Sequence, residues 1–429
     1  MKLDTIVALA TPPMKSALAI ISLSGEDCFS IVSKVFSKDI TKTNEKTIYI
    51  GDIVVNNKII DQVVLLAYKG PKSFTGENLV EIISHGSVLI ANEIIELLIS
   101  CGARMATNGE YSSRAFLNNK IDLIEAEAIN DVINATTKEA KQLSLLSLDG
   151  EVSKLIKPIR TKLADILSLI EVNIDFPEYE DIEVVSREEV IEKCTRITEE
   201  LQKLINQGES ELMYKEGVKI AIVGKPNVGK STLLNALLKE DKAIVTDIAG
   251  TTRDIVEGDI NLCGVPVHLF DTAGLRESND VIEQIGIAKT RKVQNSADLI
   301  ILLVDETGID DEFYSFIKNK KHIIVYNKSD LLEKKDPNKI YICAKENDIS
   351  SLINKIKEEL NIGEITIRPS FSNARQLDLL KAIVMYLGMA MVDAKENQPI
   401  DLISVNIMAA YNCSLDLLGQ NNKNDLTDE

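Results

Sequence analysis

The run Gly224-Lys-Pro-Asn-Val-Gly-Lys230-Ser231 fits G-x-x-x-x-G-K-[ST], a phosphate-binding loop that works only between a strand and a helix. Its neighbours supply that context. Val218–Val223 is a continuous apolar run that reads as a buried strand, and Thr232–Leu238 reads as the helix that follows. The glycines let the backbone curl so that its N–H groups point at phosphate oxygens. Asn227, Val228, Gly229, Lys230, Ser231 and Thr232 are therefore the first candidate nucleotide contacts, with Lys230 reaching the β- and γ-phosphates and the Ser231 hydroxyl suited to Mg²⁺.

The rest of the stretch from 214 to 370 extends this into an α/β domain. Residues 267–270, 299–305 and 322–327 are further apolar strands separated by helical stretches, the pattern of a parallel sheet buried on both faces. The first of them ends in Asp271-Thr272-Ala273-Gly274, which puts a carboxylate where it can hold Mg²⁺ through water and a glycine close to the γ-phosphate. Asn327-Lys328-Ser329-Asp330 follows the last. The Asp330 carboxylate can accept the N1 and N2 protons of guanine, a donor pair that adenine lacks, so the expected nucleotide is GTP. Cys343-Ala344-Lys345 stands where GTPases carry Ser-Ala-Lys behind the base. Between these motifs, Thr246, Asp247, Ile248, Ala249, Gly250, Thr251 and Thr252 read as the switch segment, with a threonine for Mg²⁺ and the γ-phosphate. Leu275 occupies the position at which Ras-like proteins place the glutamine that orients the attacking water, a task no apolar side chain performs. Either hydrolysis is very slow or another group supplies the function, and Asn227 offers a neutral oxygen that can hold a monovalent cation against the phosphates.

Composition narrows the setting. The 429 residues are 45% hydrophobic and 27% charged, and no apolar run approaches the ~18–20 residues needed to cross a bilayer. The opening residues carry Asp4 and a Pro-Pro pair and make a poor signal peptide. Six scattered cysteines at 28, 101, 194, 263, 343 and 413 include no C-x-x-C pair, which reads as reduced thiols in a cytoplasmic protein with no membrane partner. With 66 acidic against 48 basic side chains the net charge is −18, a field that disfavours nucleic acid except through a local basic patch or a basic partner.

Around the nucleotide domain, residues 1–120 alternate short strands with helices. Residues 47–55 and 61–69 flank Asn56-Asn57 and read as a hairpin. Residues 121–213 and 371–429 read as helical. Val190, Ile191, Cys194, Ile197, Leu201, Leu204 and Ile205 recur at helical spacing, as do Leu377, Leu380, Ile383, Leu387 and Met391, and such stripes are bundle core. The nucleotide domain is thus an insertion between helices.

Beyond the nucleotide motifs, the chain resembles the MnmE (TrmE) family of tRNA modification GTPases, whose nucleotide domain is Era-like. Asp4-Thr-Ile-Val-Ala-Leu-Ala-Thr-Pro-Pro13, Ser73-Phe-Thr-Gly-Glu77 leading to Val80-Glu81 and His85-Gly86, and Gly109-Glu-Tyr111 carry the resemblance through the N-terminal region. Arg114-Ala-Phe-Leu-Asn-Asn-Lys120-Ile-Asp-Leu123, Glu125-Ala-Glu-Ala128, Ile174-Asp-Phe-Pro-Glu178 and Asn373-Ala-Arg375 continue it nearly end to end. The resemblance implies an α+β N-terminal folate-binding and dimer-forming domain, an all-α helical domain, and an inserted α/β P-loop GTPase domain. It implies a K⁺ ion held by Asn227, Thr246, Ile248 and Thr251, and Mg²⁺ held by Ser231 and Thr252. Glu283 is implied to organise the hydrolytic water, with Lys230 as its catalytic companion, and Glu81 and Lys120 to contact a tetrahydrofolate that carries a one-carbon unit. The implied partners are a second copy in a homodimer, tRNA, and an FAD-dependent MnmG/GidA-like protein in a heterotetramer. Together these add an aminomethyl or carboxymethylaminomethyl group at C5 of the wobble uridine. Standing alone, Glu81, Lys120 and His85 read as ordinary surface or structural residues.

Two departures from the family pattern stand out. Ser22 replaces an arginine, and the sequence stops at Asn424-Asp-Leu-Thr-Asp-Glu429 without the family's closing Cys-[Ile/Leu/Val]-Gly-Lys; Cys413 lies earlier and no Gly-Lys follows it. Two other readings stay open at this point, a divergent regulatory GTPase without modification activity and an Era-like ribosome-assembly GTPase.

Overall fold

The computed structural model describes residues 4–175, 186–225, 227–240, 258–271, 297–305, 308–309, 314, 317–331, 335–363 and 366–420. It separates into two compact units, one running to Ala126 and including the segment from Leu418 on, the other Glu127–Leu417.

The first unit is built from β1 (Ile6–Leu9), β2 (Leu18–Ser24), α1 (Cys28–Ser33), β3 (Thr47–Val55), β4 (Lys58–Tyr68), β5 (Leu79–His85), α2 (Val88–Ser100), β6 (Arg104–Met105) and α3 (Glu110–Leu117). Its sheet runs β3-β4-β5-β2-β1-β6, antiparallel throughout except for the β1–β6 pair. The hairpin read at Asn56-Asn57 is present, with both residues at positive φ (48° and 62°), the geometry of a two-residue primed turn. Strand alternation sends Ile21, Leu23, Ile53, Val63, Leu65, Val80 and Ile82 to one face, where they form a core with α1 and α2 residues such as Val32, Ile94 and Leu98. The other face carries Leu18, Ile20, Ile48, Ile50, Val64, Leu66 and Ile83, of which Ile20, Val64, Leu66 and Ile83 are half-buried and Leu18, Ile48 and Ile50 exposed. Ile48 and Ile50 are 63% and 60% exposed.

One polar cluster lies inside this unit. Arg114 is 2% exposed and donates to Glu77 (3.1 Å), Glu110 (3.0 Å) and the Asp4 carbonyl (2.8 Å). A buried guanidinium persists only when matched in this way. Glu77 also accepts from Ser24 (2.7 Å), so the Ser73–Glu77 loop is pinned to β2 and α3 together. The Ser-Phe-Thr-Gly-Glu and Arg-Ala-Phe motifs are two halves of one internal salt-bridge network.

The second unit combines helices and a sheet. Its helices α4 (Leu123–Asn134), which begins in the first unit, α5 (Lys138–Leu148), α6 (Ser153–Asp175) and α7 (Arg187–Glu216) precede β7 (Val218–Val223), α8 (Lys230–Glu240), β8 (Gly258–Leu262) and β9 (Val265–Asp271). Then come β10 (Leu299–Val304), β11 (His322–Tyr326), β12 (Ile340–Tyr341), α9 (Ser350–Glu359), α10 (Ala374–Lys395) and α11 (Ile400–Leu418). α7 is capped by Ser186, whose side chain accepts from the Glu189 N–H. Its buried stripe of Val190, Cys194, Ile197, Leu201 and Ile205 packs along α10, where Leu377, Leu380, Ile383 and Leu387 are buried in turn. Most of both helical stripes read from the sequence is therefore core, while Ile191, Leu204 and Met391 at their margins are half-buried.

The sheet of this unit runs β12-β11-β10-β7-β9-β8. The four strands expected from the apolar runs, together with β12, are parallel, but the edge strand β8 is antiparallel to β9, so the sheet is mixed. β8, Gly-Asp-Ile-Asn-Leu, has no continuous apolar run of the kind that marks the buried strands. All six cysteines are free thiols. Among the described residues no helix is long and apolar enough to cross a membrane.

Candidate functional site

The phosphate loop leaves β7 at the centre of the sheet and enters α8 at Lys230, the strand–loop–helix order the motif requires. Val228 is buried under the loop and Asn227 is exposed at its tip with φ at 64°. Lys230 is 6% exposed, and its ammonium donates to the Gly224 carbonyl (3.0 Å) and the Lys225 carbonyl (2.7 Å). It is thereby held across the loop it serves. Ser231 and Thr232 open the exposed side of the first helical turn.

Asn327 joins this loop to the base-recognition loops. It follows β11, is 4% exposed, and donates from Nδ2 to the Val228 carbonyl at 2.8 Å. Its Oδ1 accepts from the Ala344 N–H at 3.1 Å. Both ends of one carboxamide are used, so its orientation is fixed. The approach is close enough to dictate Gly229, where a Cβ would fall 2.4 Å from Asn327 Nδ2 on a backbone at φ 99°. Lys328, at φ 58°, reaches Asp305 at the end of β10 (3.3 Å). The exposed Asp330 carboxylate accepts from the Cys343 thiol at 3.3 Å. Burial raises the Cys343 thiol, and the neighbouring Asp330 adds to the rise, so the sulfur stays a protonated donor. Lys345 is exposed beside Ala344. The structure thus brings Asn227–Thr232, Asn327, Lys328, Asp330 and Cys343–Lys345 to one end of the parallel strands, the end where open α/β sheets bind ligands. Asp271 is the last residue of β9, which lies beside β7. Thr246–Thr252, Thr272–Gly274 and Glu283 lie outside the described residues.

The remaining candidates belong to the first unit. Glu81 sits on the open face of its sheet, where Tyr68 donates to it at 3.3 Å, and Ser22 is its direct cross-strand partner on β2. Ser22 therefore falls beside Glu81 itself. Lys120 is exposed and donates to the Pro71 carbonyl at 3.0 Å, on the loop that leads into β5. His85, which reads from the sequence as structural, has an exposed ring whose Nδ1 lies 2.6 Å from the buried Asp61 carboxylate. The bridging role of Asn327 and the Asp305–Lys328 pair were not read from the sequence. Asn327 was visible only as part of its motif, and nothing in spacing links Asp305 to Lys328.

Against known proteins, the family model described as "MnmE helical domain" matches residues 123–429. The model described as "GTP-binding protein TrmE N-terminus" matches residues 5–120. The chain is 40% identical over 442 residues to the tRNA modification GTPase MnmE of Mycoplasma mycoides subsp. mycoides, covering 99% of this chain and 97% of that protein. It is 38% identical over 448 residues to the protein of the same name from Enterococcus faecalis, covering 99% and 96%. A solved structure of Era in complex with MgGDPNP and a 16S ribosomal RNA segment is 31% identical over 39% of this chain and 66% of that one. Its TM-score is 0.28.

Proposed function

The chain belongs to the MnmE (TrmE) family of tRNA modification GTPases, and from that premise we propose that it hydrolyses GTP to drive wobble-uridine modification of tRNA. In this reading residues 214–370 are the GTPase domain, inserted into a helical domain of 121–213 and 371–429, with 1–120 as the folate-binding and dimer-forming domain.

The observation that carries the reading is the Asn327 carboxamide clamped between the phosphate loop and Ala344, which ties phosphate grip and base choice into one rigid site. GTP binds with its phosphates over the Gly224–Ser231 loop. The Lys230 ammonium swings from the loop carbonyls to the β/γ-phosphate oxygens and offsets the charge that grows on them as the terminal bond breaks. Asp330 accepts the guanine N1 and N2 protons, and Cys343 holds that carboxylate by donating to it. The Ser231 hydroxyl on the exposed side of the first turn of α8 is a hard oxygen that fits Mg²⁺, and Thr252 and Asp271 are the residues assigned to complete its holding. Asn227 at the loop tip, with Thr246, Ile248 and Thr251, supplies neutral oxygens that fit K⁺. Bound there, K⁺ would supply positive charge to the phosphates where other GTPases use an arginine. Glu283 orients the attacking water in place of Leu275.

The uncovered apolar face around Ile48 and Ile50 supports a homodimer, since a patch of that kind on a soluble unit marks a contact surface. Glu81 on the same face and Lys120 are assigned to a one-carbon tetrahydrofolate, and an FAD-dependent MnmG/GidA-like partner and tRNA complete the heterotetrameric assembly in the cytoplasm. Ser22 opposite Glu81 favours a second reading, a GTPase switch that has lost the modification step. The deciding experiment is steady-state GTP hydrolysis in KCl against NaCl at equal ionic strength, for the native chain and Asn227→Ala. Faster turnover in KCl that Asn227→Ala removes supports the cation-assisted mechanism. Equal rates in both salts overturn it. Mass spectrometry of tRNA nucleosides after incubation with the FAD-dependent partner then separates the two readings.

A further inference from the structure

The β8–β9 hairpin occupies a singular place in the second unit. Its open end is continuous in the chain with residues 241–257 on one side and 272–296 on the other, the stretches that carry the switch threonines and the Asp271–Gly274 motif. Its closed end is the turn Cys263-Gly264, with φ of 53° and 90°. That turn abuts α5 so closely that a Cβ on Gly264 would stand 2.6 Å from Cγ and Cδ of Glu139. One helical turn further along α5, Leu143 is buried in the same apolar cluster as Leu262 and Val265 of the hairpin and Met213 and Tyr214 of α7. A residue of the helical region is thus part of the core of the nucleotide sheet.

The middle of the hairpin is fastened as well. His268 on β9 faces Asp259 on β8, its cross-strand partner, with Nδ1 2.7 Å from the carboxylate. The ring also bonds to the carbonyl of Glu216, the last residue of α7, and lies against the Gly217 backbone. The preceding residue, Lys215, is itself buried and pairs with Asp131 of α4 at 2.9 Å. One hairpin therefore touches two helices of the helical region by two separate sets of contacts, and a shift along its strands displaces both, because a packed interface moves as a unit instead of deforming gradually.

We propose that the β8–β9 hairpin is the element that couples the nucleotide state of the phosphate site to the helical region, through the Gly264–Glu139 contact at its tip and the His268 bridge to Glu216 in its middle. This rests on the GTPase reading above. A γ-phosphate that draws the chain on either side of the hairpin pulls on both of its strands, and α5 and the end of α7 receive the movement.

The test is hydrogen–deuterium exchange on the full-length chain with GDP or with a non-hydrolysable GTP analogue, alongside the affinity for each nucleotide. In the native chain, exchange in 138–148 and 208–217 is expected to differ between the two nucleotides. In Glu139→Ala combined with His268→Gln that difference is expected to fall by at least half, with both nucleotide affinities within about twofold of native and exchange along α10 unchanged, which shows that the variant folds. Each single variant is expected to lose part of the difference. An unaltered difference in the double variant, or no difference in the native chain with both nucleotides bound, overturns the coupling role. Failure to bind either nucleotide overturns the GTPase reading, and the coupling role with it.

Discussion

In the proposed GTP site the choice of base rests on two side chains, Asp330 and Cys343. There the carboxylate would supply two charge-assisted acceptors to guanine, and the thiol holds one of its oxygens at 3.3 Å. Asp330→Asn converts one acceptor into a donor, which no longer matches the guanine edge and instead matches xanthine. GTP affinity is expected to fall by roughly 10²-fold, about 3 kcal/mol for charge-assisted bonds lost, while XTP affinity rises, as competition binding will measure. A second residue-scale consequence concerns acid. Arg104 donates to Glu110, and with Thr107 and Arg114 it holds that carboxyl down at about 2. A depressed carboxyl stabilises the fold fully above its ordinary value of ~4.3, and the contribution is lost as pH falls from there toward about 2. Replacing Arg104 by Met is expected to move the acid-unfolding midpoint of the first unit to higher pH, followed by circular dichroism. His268 has the opposite sense. Its bond to Asp259 raises it, helped by the Glu216 carbonyl, so its contribution is complete below ~6.5 and is lost as pH rises through the raised value.

At the scale of elements, the Asn-Ala-Arg run before α10 is a junction. Asn373 caps the helix by accepting from the Arg375 N–H at 2.9 Å. The Arg375 guanidinium then forks onto Glu127 of α4 (3.0 Å from Nη2) and reaches the Asp416 and Leu417 carbonyls at the end of α11 (3.3 and 3.4 Å). One side chain ties three helices and satisfies carbonyls that a helix end leaves open. Arg375→Ala is expected to destabilise the second unit by ~1–3 kcal/mol in urea unfolding, and Arg375→Lys to recover only part, since an ammonium cannot fork. The element the sequence did not disclose is also instructive. The apolar runs of β7, β9, β10 and β11 were legible because strands buried on both faces have no polar side to interrupt them. β8 was not, because an edge strand looks like a loop until its partner is known.

At the scale of the whole molecule, the open face of the first unit carries the prediction. Lysines at both exposed positions, Ile48→Lys with Ile50→Lys, put like charges on a surface that must lose its water to pair, and are expected to leave the chain monomeric in sedimentation analysis. A dimer that persists in that variant removes this face as the contact. The apolar strands of the nucleotide sheet, the helical stripes of α7 and α10, and the nucleotide the chain is built for were decided by the sequence alone. Short-range periodicity and a contiguous phosphate loop are local properties, carried by residues adjacent in the chain. The sequence also listed the residues of its longer motifs without saying what joins them. Only the tertiary structure set the Arg114–Glu77 pair, the Asn327 clamp on Val228 and Ala344, Ser22 opposite Glu81, and the Gly264 turn against Glu139. Each is a contact between residues far apart in the chain, fixed by packing and strand register, and neither spacing nor composition records which distant residues chain folding will bring together.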